Sequence, residues 1–437
     1  MTVLSLFRSA RPVPAEHRAN FIHLYLDIAW YGILSGSAIS FMVVFAARLG
    51  ADAFQVGLLN AGPAVVNLLF TLPASQWLQK RPIGQSVFWT SVLHRLFYVV
   101  WLFLPALLAP AGQIWALIGL VLLMTVPGTA LAVGFNALFA AAVPADWRSH
   151  VAGVRNGMLA VVFVATSLGC GLILDRLPFP LGYQVVFAIG FAGALMSSLH
   201  LWFVRPAVGE PPAPRPGRGL GDLARPGVMR TTGESLRAAV GLRFLTRFKD
   251  GPLLPSSVLS KPFGRIVALL FGFHLAQYLA IPLLPLYWVN QLNLTDREIS
   301  LGSAIFYAAV LLGSTQLARL AQRLGNRRLM AGGVMVMSLY PALTALTREL
   351  NLFLVTAIVG GLAWSMVGGA ISNYILERIP EDDRPAHLAW YNLALNAAIL
   401  LGSLAGPLLA AYLGLVPTLA IAAVARFAIA LLLWRWG

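Results

Sequence analysis

Val143-Pro-Ala-Asp-Trp-Arg148 returns 236 residues later as Ile379-Pro-Glu-Asp-Asp-Arg384. The same offset pairs Asn156 with Asn392, Leu159 with Leu395, Ser167 with Ser403, Leu168 with Leu404 and Leu172 with Leu408. Each copy is a short polar stretch feeding a long apolar run. A second match lies earlier in each half, Leu26-Asp-Ile-Ala-Trp-Tyr31 against Phe273-His-Leu-Ala-Gln-Tyr278. Two matches in the same order along the chain indicate an internal duplication.

The composition says what the duplicated unit is made of. Of 437 residues, 59% are hydrophobic and 11% charged, against about 25% charged in an ordinary soluble domain. Such a chain cannot clothe a water-facing surface, which disfavours a soluble enzyme, a disordered regulator and a secreted disulfide scaffold. The single cysteine, Cys170, excludes an internal disulfide and a cysteine-based metal cluster. A net charge of +15 would suggest a nucleic-acid partner in a soluble protein. Here it reports membrane topology instead, and no nucleic acid is expected.

Runs of about 20 mostly apolar residues predict twelve spans. They are Phe21–Ala47, Phe54–Leu78, Val87–Ala109, Ile114–Val143, Val151–Leu174 and Tyr183–Val204, then Ile266–Val289, Ile299–Ala321, Leu329–Leu346, Leu352–Leu376, Leu388–Leu413 and Val416–Trp434. The first lacks a short h-region with a small-residue cleavage site and reads as a retained helix. The chain divides into a six-helix bundle over 1–204, a Pro- and Arg-rich cytoplasmic linker over 205–265 and a second bundle over 266–437. In the linker, Leu236, Val240, Phe244 and Phe248 recur every four residues among arginines, the spacing of a membrane-surface helix.

Lys and Arg fix the orientation. With the N-terminus inside, only Arg48, Arg176, Arg297 and Arg348 fall in outer loops, whereas the inner segments carry nearly all the rest, Arg148 and Arg155 included. Both termini are therefore expected to be cytoplasmic, in a multi-pass plasma (inner) membrane protein. Parallel six-helix halves about a central axis place a binding site at their interface near mid-membrane.

With these features the chain resembles the major facilitator superfamily: twelve helices, a long loop after the sixth, and basic loops after helices two and eight. The family's loop motif runs roughly Gly-x-x-x-Asp-Arg-x-Gly-Arg-Arg. Gln322, Arg323, Arg327 and Arg328 lie in a fair copy in the second half, and Gln79, Lys80 and Arg81 in a degenerate one in the first. The resemblance implies gating loops at these residues. Gln replaces the acid that helps latch the family's halves, so the charge part of that latch is missing. Helix five reads Ser167-Leu-Gly-Cys-Gly171 without the Gly-Pro pair of the family's antiporters, whereas helix eleven carries Gly406-Pro407.

Asp27 is the one carboxylate well inside any predicted span, and His23 lies one turn below it. The repeat places His274 opposite Asp27. An acid and an imidazole facing a wet cavity bind and release protons, so Asp27, His274 and His23 are the proton-coupling candidates. Arg95 and Arg426 are costly intramembrane cations. Arg95 is deep enough to pair with Asp27, which would give the acid a structural role instead. The candidate cavity is otherwise aromatic and amide, namely Trp30, Tyr31, Asn136, Gln277, Tyr278, Trp364, Asn373, Tyr391, Asn392 and Asn396. Such a lining suits a small amphipathic or apolar organic molecule.

There is no Walker loop, zinc-ligand spacing or nucleophile elbow. No catalytic residue, metal or cofactor is expected. The sequence reads as a monomeric secondary transporter that uses protons, a small-molecule substrate and the lipid bilayer as its partners. The alternative is a facilitator-like protein that no longer transports and serves as an assembly factor or receptor.

Overall fold

The computed structural model describes residues 15–206, 256–259, 261–379 and 384–437. The linker's putting of a surface helix at Leu236–Phe248 falls outside these residues. All regular structure among the described residues is helical. The first six spans are α1 (Ala15–Arg48), α2 (Ala53–Gln79), α3 (Ile83–Leu107), α4 (Pro110–Ala142), α5 (Ala145–Arg176) and α6 (Leu181–Phe203). The second six are α7 (Pro262–Gln291), α8 (296–324), α9 (326–346), α10 (Leu350–Leu376), α11 (Arg384–Leu413) and α12 (Leu415–Trp436).

Gly325 separates α8 from α9. Its φ of 75° and ψ of 157° interrupt an otherwise continuous 51-residue helical stretch, and a side chain at positive φ would be strained. Several helices start before or end after their apolar runs, because polar first turns can leave the bilayer and still hydrogen-bond as helix. The shift matters most in α5, which begins at Ala145 and carries Arg155 well into the helix.

The duplication is visible in the packing. In the first half α1 packs on α5 and α6; in the second, α7 packs on α11 and α12. Helix α1 contains a π-helical segment at Ser35–Ile39, and α7 is interrupted around Pro282, which the α1/α7 match aligns with Ser35. Asp52 and Gln55 form a capping box at the start of α2, and Thr295 and Glu298 form its counterpart at the start of α8. Each satisfies orphan N–H groups at a helix N-terminus.

The halves meet along α2 with α11 and α5 with α8. On the same register as the capping boxes, Gly57 of α2 corresponds to Ser300 of α8. Ser300 Oγ donates to the Ser167 carbonyl at 2.5 Å. At the other seam a Cβ on Gly57 would lie 2.5 Å from the Ser403 carbonyl oxygen. Ser167 and Ser403 are the repeat partners, so both seams close on the same backbone point. Glycine also brings α1 against its neighbours: a Cβ on Gly36 would lie 2.7 Å from the Phe163 carbonyl oxygen. Small residues permit such approaches where no water drives helices together. The outer face is apolar, with Leu69 65%, Trp89 61% and Val424 69% exposed, as a lipid-facing surface requires.

Candidate functional site

Asp27 is 0% exposed in the first half. Arg155 reaches it from α5, with Nη2 to Oδ2 at 2.9 Å. The other Arg155 terminal nitrogen donates to the Leu24 carbonyl, and the guanidinium lies 4.8 Å over the Phe135 ring. Ser197 of α6 donates to Asp27 Oδ1 at 2.5 Å. Arg95 of α3 stands 4.0 Å from the same oxygen and donates to Ser198 Oγ at 2.8 Å and the Ala194 carbonyl at 3.2 Å. One carboxylate thus joins α1, α5 and α6 through charge-assisted hydrogen bonds, the strong kind in a low-dielectric interior, and reaches α3 through a longer ion pair.

This arrangement differs from a proton site open to a cavity. Asp27 is enclosed by two guanidinium groups and a hydroxyl. The ion pair with Arg95 allowed by the sequence is present, and Arg155 forms the shorter one. Counting Arg155 as an inner-loop charge was therefore incorrect: it is 5% exposed within α5. His274 sits elsewhere, with Nε2 3.2 Å from the Tyr391 hydroxyl. The repeat aligns His274 with Asp27 and Tyr391 with Arg155, so a neutral pair occupies in the second half the place of the ion pair in the first. His23 meets His200 of α6, their Nδ1 atoms 3.1 Å apart. Arg426 has no repeat counterpart in α6. It donates to the carbonyls of Met337 at 2.9 Å and of Ala276 and Gln277 at 3.4 Å, tying α12 to α9 and α7.

Between the halves, Phe163 of α5 and Tyr307 of α8 bring their rings within 3.9 Å, centroid to centroid. Tyr31 lies within electrostatic reach of Tyr307, and Phe306 and Tyr340 extend the group at 5.4 and 6.1 Å. Tyr31 was among the cavity candidates; Phe163 and Tyr307 were not, because single aromatics in apolar runs carry no signal of which helix faces which. Of the other candidates, Asn136 and Asn396 donate to carbonyls of their own helices, Ala132 and Asn392. Gln277, Tyr278 and Tyr391 are buried, and Trp30, Trp364, Asn373 and Asn392 are half-buried. Gln277 Oε1 and both amide atoms of Asn392 find no hydrogen bond among the described residues, leaving polar capacity in a buried setting.

Gln79, Lys80 and Arg81 are exposed at the end of α2, and the Arg81 guanidinium lies 4.8 Å over the Trp77 ring. In the second half Gln322, Arg323 and Arg328 are exposed, and Arg327 donates to the Trp434 carbonyl at 2.7 Å. Asn326 donates to Glu377 at 2.5 Å, an acid contact that the loop motif itself lacks. At the opposite end of the bundle Arg48 donates to Asp296 and to the Leu294 carbonyl at 3.0 and 2.5 Å. Arg297 pairs with Asp175 at 3.6 Å. These contacts join the halves on the side away from the start of α1 and the end of α12.

Comparison with known proteins fits this geometry. Residues 266–437 match the Major Facilitator Superfamily. The quinolone resistance protein NorA of Staphylococcus aureus (strain N315) is 23% identical over 124 residues, 28% of this chain and 32% of that protein. The chain thus matches about a third of that relative's length. Among solved structures, a bacterial homologue of the iron transporter ferroportin in an inward-facing state superposes with a TM-score of 0.69, at 14% identity over 98% of this chain and 99% of that one. The xylose transporter XylE from E. coli, in a partially occluded inward-open conformation, gives 0.65 at 15% identity over 97% and 98%. The second half of the chain thus matches the Major Facilitator Superfamily, and nearly its whole length shares the fold of these two transporter structures.

Proposed function

We propose that the protein is a secondary transporter that moves a small amphipathic or apolar organic solute by alternating access between its two halves. The observation that carries this reading is the aromatic group of Tyr31, Phe163 and Tyr307 at the junction of the halves. Aromatic walls bind flat or greasy solutes without charge, and the charged network of Asp27 is sequestered within the first half. Gln277 and Asn392 supply unused amide groups for a few polar atoms of the solute. The partial likeness to a protein named for quinolone resistance supports an organic solute over an inorganic ion. In this reading Asp27 is an ion-pair partner of the scaffold, because its oxygens are already held by Arg155 and Ser197, and the proton role expected from it with His274 and His23 gives way. The halves are the segments 1–204 and 266–437, joined by the linker 205–265.

Tyr307→Ala removes one wall of the group and leaves the enclosed helix packing largely intact. It should weaken solute-dependent thermal stabilisation and uptake into proteoliposomes about tenfold, since an aromatic contact contributes ~0.5–1.5 kcal/mol beyond its buried area. Unchanged flux of every solute that stabilises the parent protein would overturn the assignment. A parent protein that moves no solute at all would favour the accessory role. The orientation we propose, with the termini cytoplasmic in a plasma membrane, is tested by single cysteines at two exposed sites. Arg348→Cys should label with an impermeant maleimide from outside intact cells, and Gln79→Cys only after permeabilisation; the reverse pattern would invert the topology.

A further inference from the structure

The end of α2 carries a feature that the proposed solute site does not use. An open surface depression there is lined by Pro73, Gln76, Trp77, Lys80 and Arg81. Pro73, Gln76 and Trp77 lie on the last turns of α2, and Lys80 and Arg81 in the turn that ends it, where Arg81 folds back over Trp77. Phe70, 40% exposed, and Leu69, 65% exposed, continue the same surface one turn deeper along α2. The sequence of chemistry along it is apolar, then aromatic, then cationic. Arg81 is stacked over Trp77 with its centre 4.8 Å from the ring, which orients the guanidinium and leaves its edge N–H groups available. Among the described residues neither Lys80 nor Arg81 has a carboxylate within ion-pair distance. Gln79, beside them, is neutral.

We propose that this surface is a binding site for an anionic phospholipid. Its headgroup phosphate meets Lys80 and Arg81, and its acyl chain lies along Trp77, Pro73, Phe70 and Leu69. Arginine forms bidentate hydrogen bonds with a phosphate group, and lysine adds a point charge. Tryptophan favours the level where headgroups meet chains. A free phosphate could satisfy the two cations but would leave the apolar length of the surface unused, so charge and shape together select the lipid. The pseudo-equivalent end of α8 has Leu320 where α2 has Trp77 and Gln316 where α2 has Pro73, so the site belongs to the first half alone.

The test uses the full-length protein in phosphatidylcholine nanodiscs containing a minority of photoactivatable phosphatidylglycerol or, separately, photoactivatable phosphatidylcholine. Peptide mapping after irradiation should show preferential labelling of residues 69–81 by the anionic probe. Each cation near a membrane surface contributes enough that its removal weakens anionic binding about 5-fold, so K80Q/R81Q should lower the labelling at least that much. K80R/R81K, which keeps both charges, should retain most of it and shows that the loss reflects charge and not misfolding. Equal labelling by both probes, or labelling unchanged in K80Q/R81Q, would overturn the proposal. Displacement of the lipid by millimolar inorganic phosphate would also overturn it, by assigning the two cations to a free anion.

Discussion

Asp27→Asn should destabilise the purified protein by about 3–5 kcal/mol, the usual cost of removing one partner from a buried ion pair. The size follows from what remains. Arg155 and Arg95 are 5% and 0% exposed, and the carboxamide is uncharged, so two guanidinium groups lose their common counter-charge where water cannot replace it. Asn still accepts a hydrogen bond from Ser197, which separates charge from hydrogen bonding. Ser197→Ala, which keeps the charge, should therefore cost only about 1–3 kcal/mol. Combining Asp27→Asn with Arg155→Met should recover part of the loss, because the more closely paired cation is then also gone. Thermal unfolding in a single detergent measures all four proteins. If Asp27→Asn unfolds at the parent temperature, the carboxylate is not the tie between α1, α3, α5 and α6, and a proton-carrying role regains the field.

The second large effect is expected at the seams between the halves. A Cβ on Gly57 would lie 2.5 Å from the Ser403 carbonyl oxygen and 2.8 Å from Pro407 Cγ. A Cβ on Gly171 would collide with Ser300. Both obstacles are held in the opposite half, so Gly57→Ala and Gly171→Ala strain the junction and spare the bundles. Overpacking of this kind costs ~1–3 kcal/mol, which corresponds to roughly a 5- to 150-fold change in a two-state equilibrium. The strain exists only while the two halves touch on this side, so the variants should favour the state in which they part. A reporter cysteine at Ser403, 0% exposed in the present state, should react faster with an impermeant maleimide in the Gly57→Ala background. Native Cys170 is 2% exposed and leaves the reporter to be read alone. Equal labelling rates with and without Gly57→Ala would show that these glycines do not govern the state.

The architecture was legible because it rests on long-range regularities that a sequence displays directly: apolar runs of bilayer length and the returning Val143–Arg148 segment. The pairing of Asp27 with Arg95 was within reach by depth alone. Arg155 was hidden because it stands in the first turns of the predicted span Val151–Leu174, where a cation looks like a topology signal; the helix start at Ala145 sets it about three turns into α5. Phe163 and Tyr307 were hidden for a different reason. Facing between helices depends on rotations of some tens of degrees about each axis, and in chains apolar on every side no amphipathic stripe records that angle. The amides were over-read for the same reason, since Asn136 and Asn396 turn back on their own helices.

The two seams between the halves are not mechanically alike. Along α2 and α11 the surfaces abut, Gly57 against Ser403 and Pro407. Along α5 and α8 the halves are fastened, and the fastenings gather on one short stretch of chain, with Leu294 and Asp296 held by Arg48, Arg297 by Asp175, and Ser300 by Ser167. A pair of plates that merely touch along one edge and are bolted along the other does not lift apart evenly. The free edge yields first and the bolted edge acts as the pivot. In the alternating access proposed above, the first turn of α8 would then serve as the hinge pin, and the gap on this side would open as a wedge from α2 and α11.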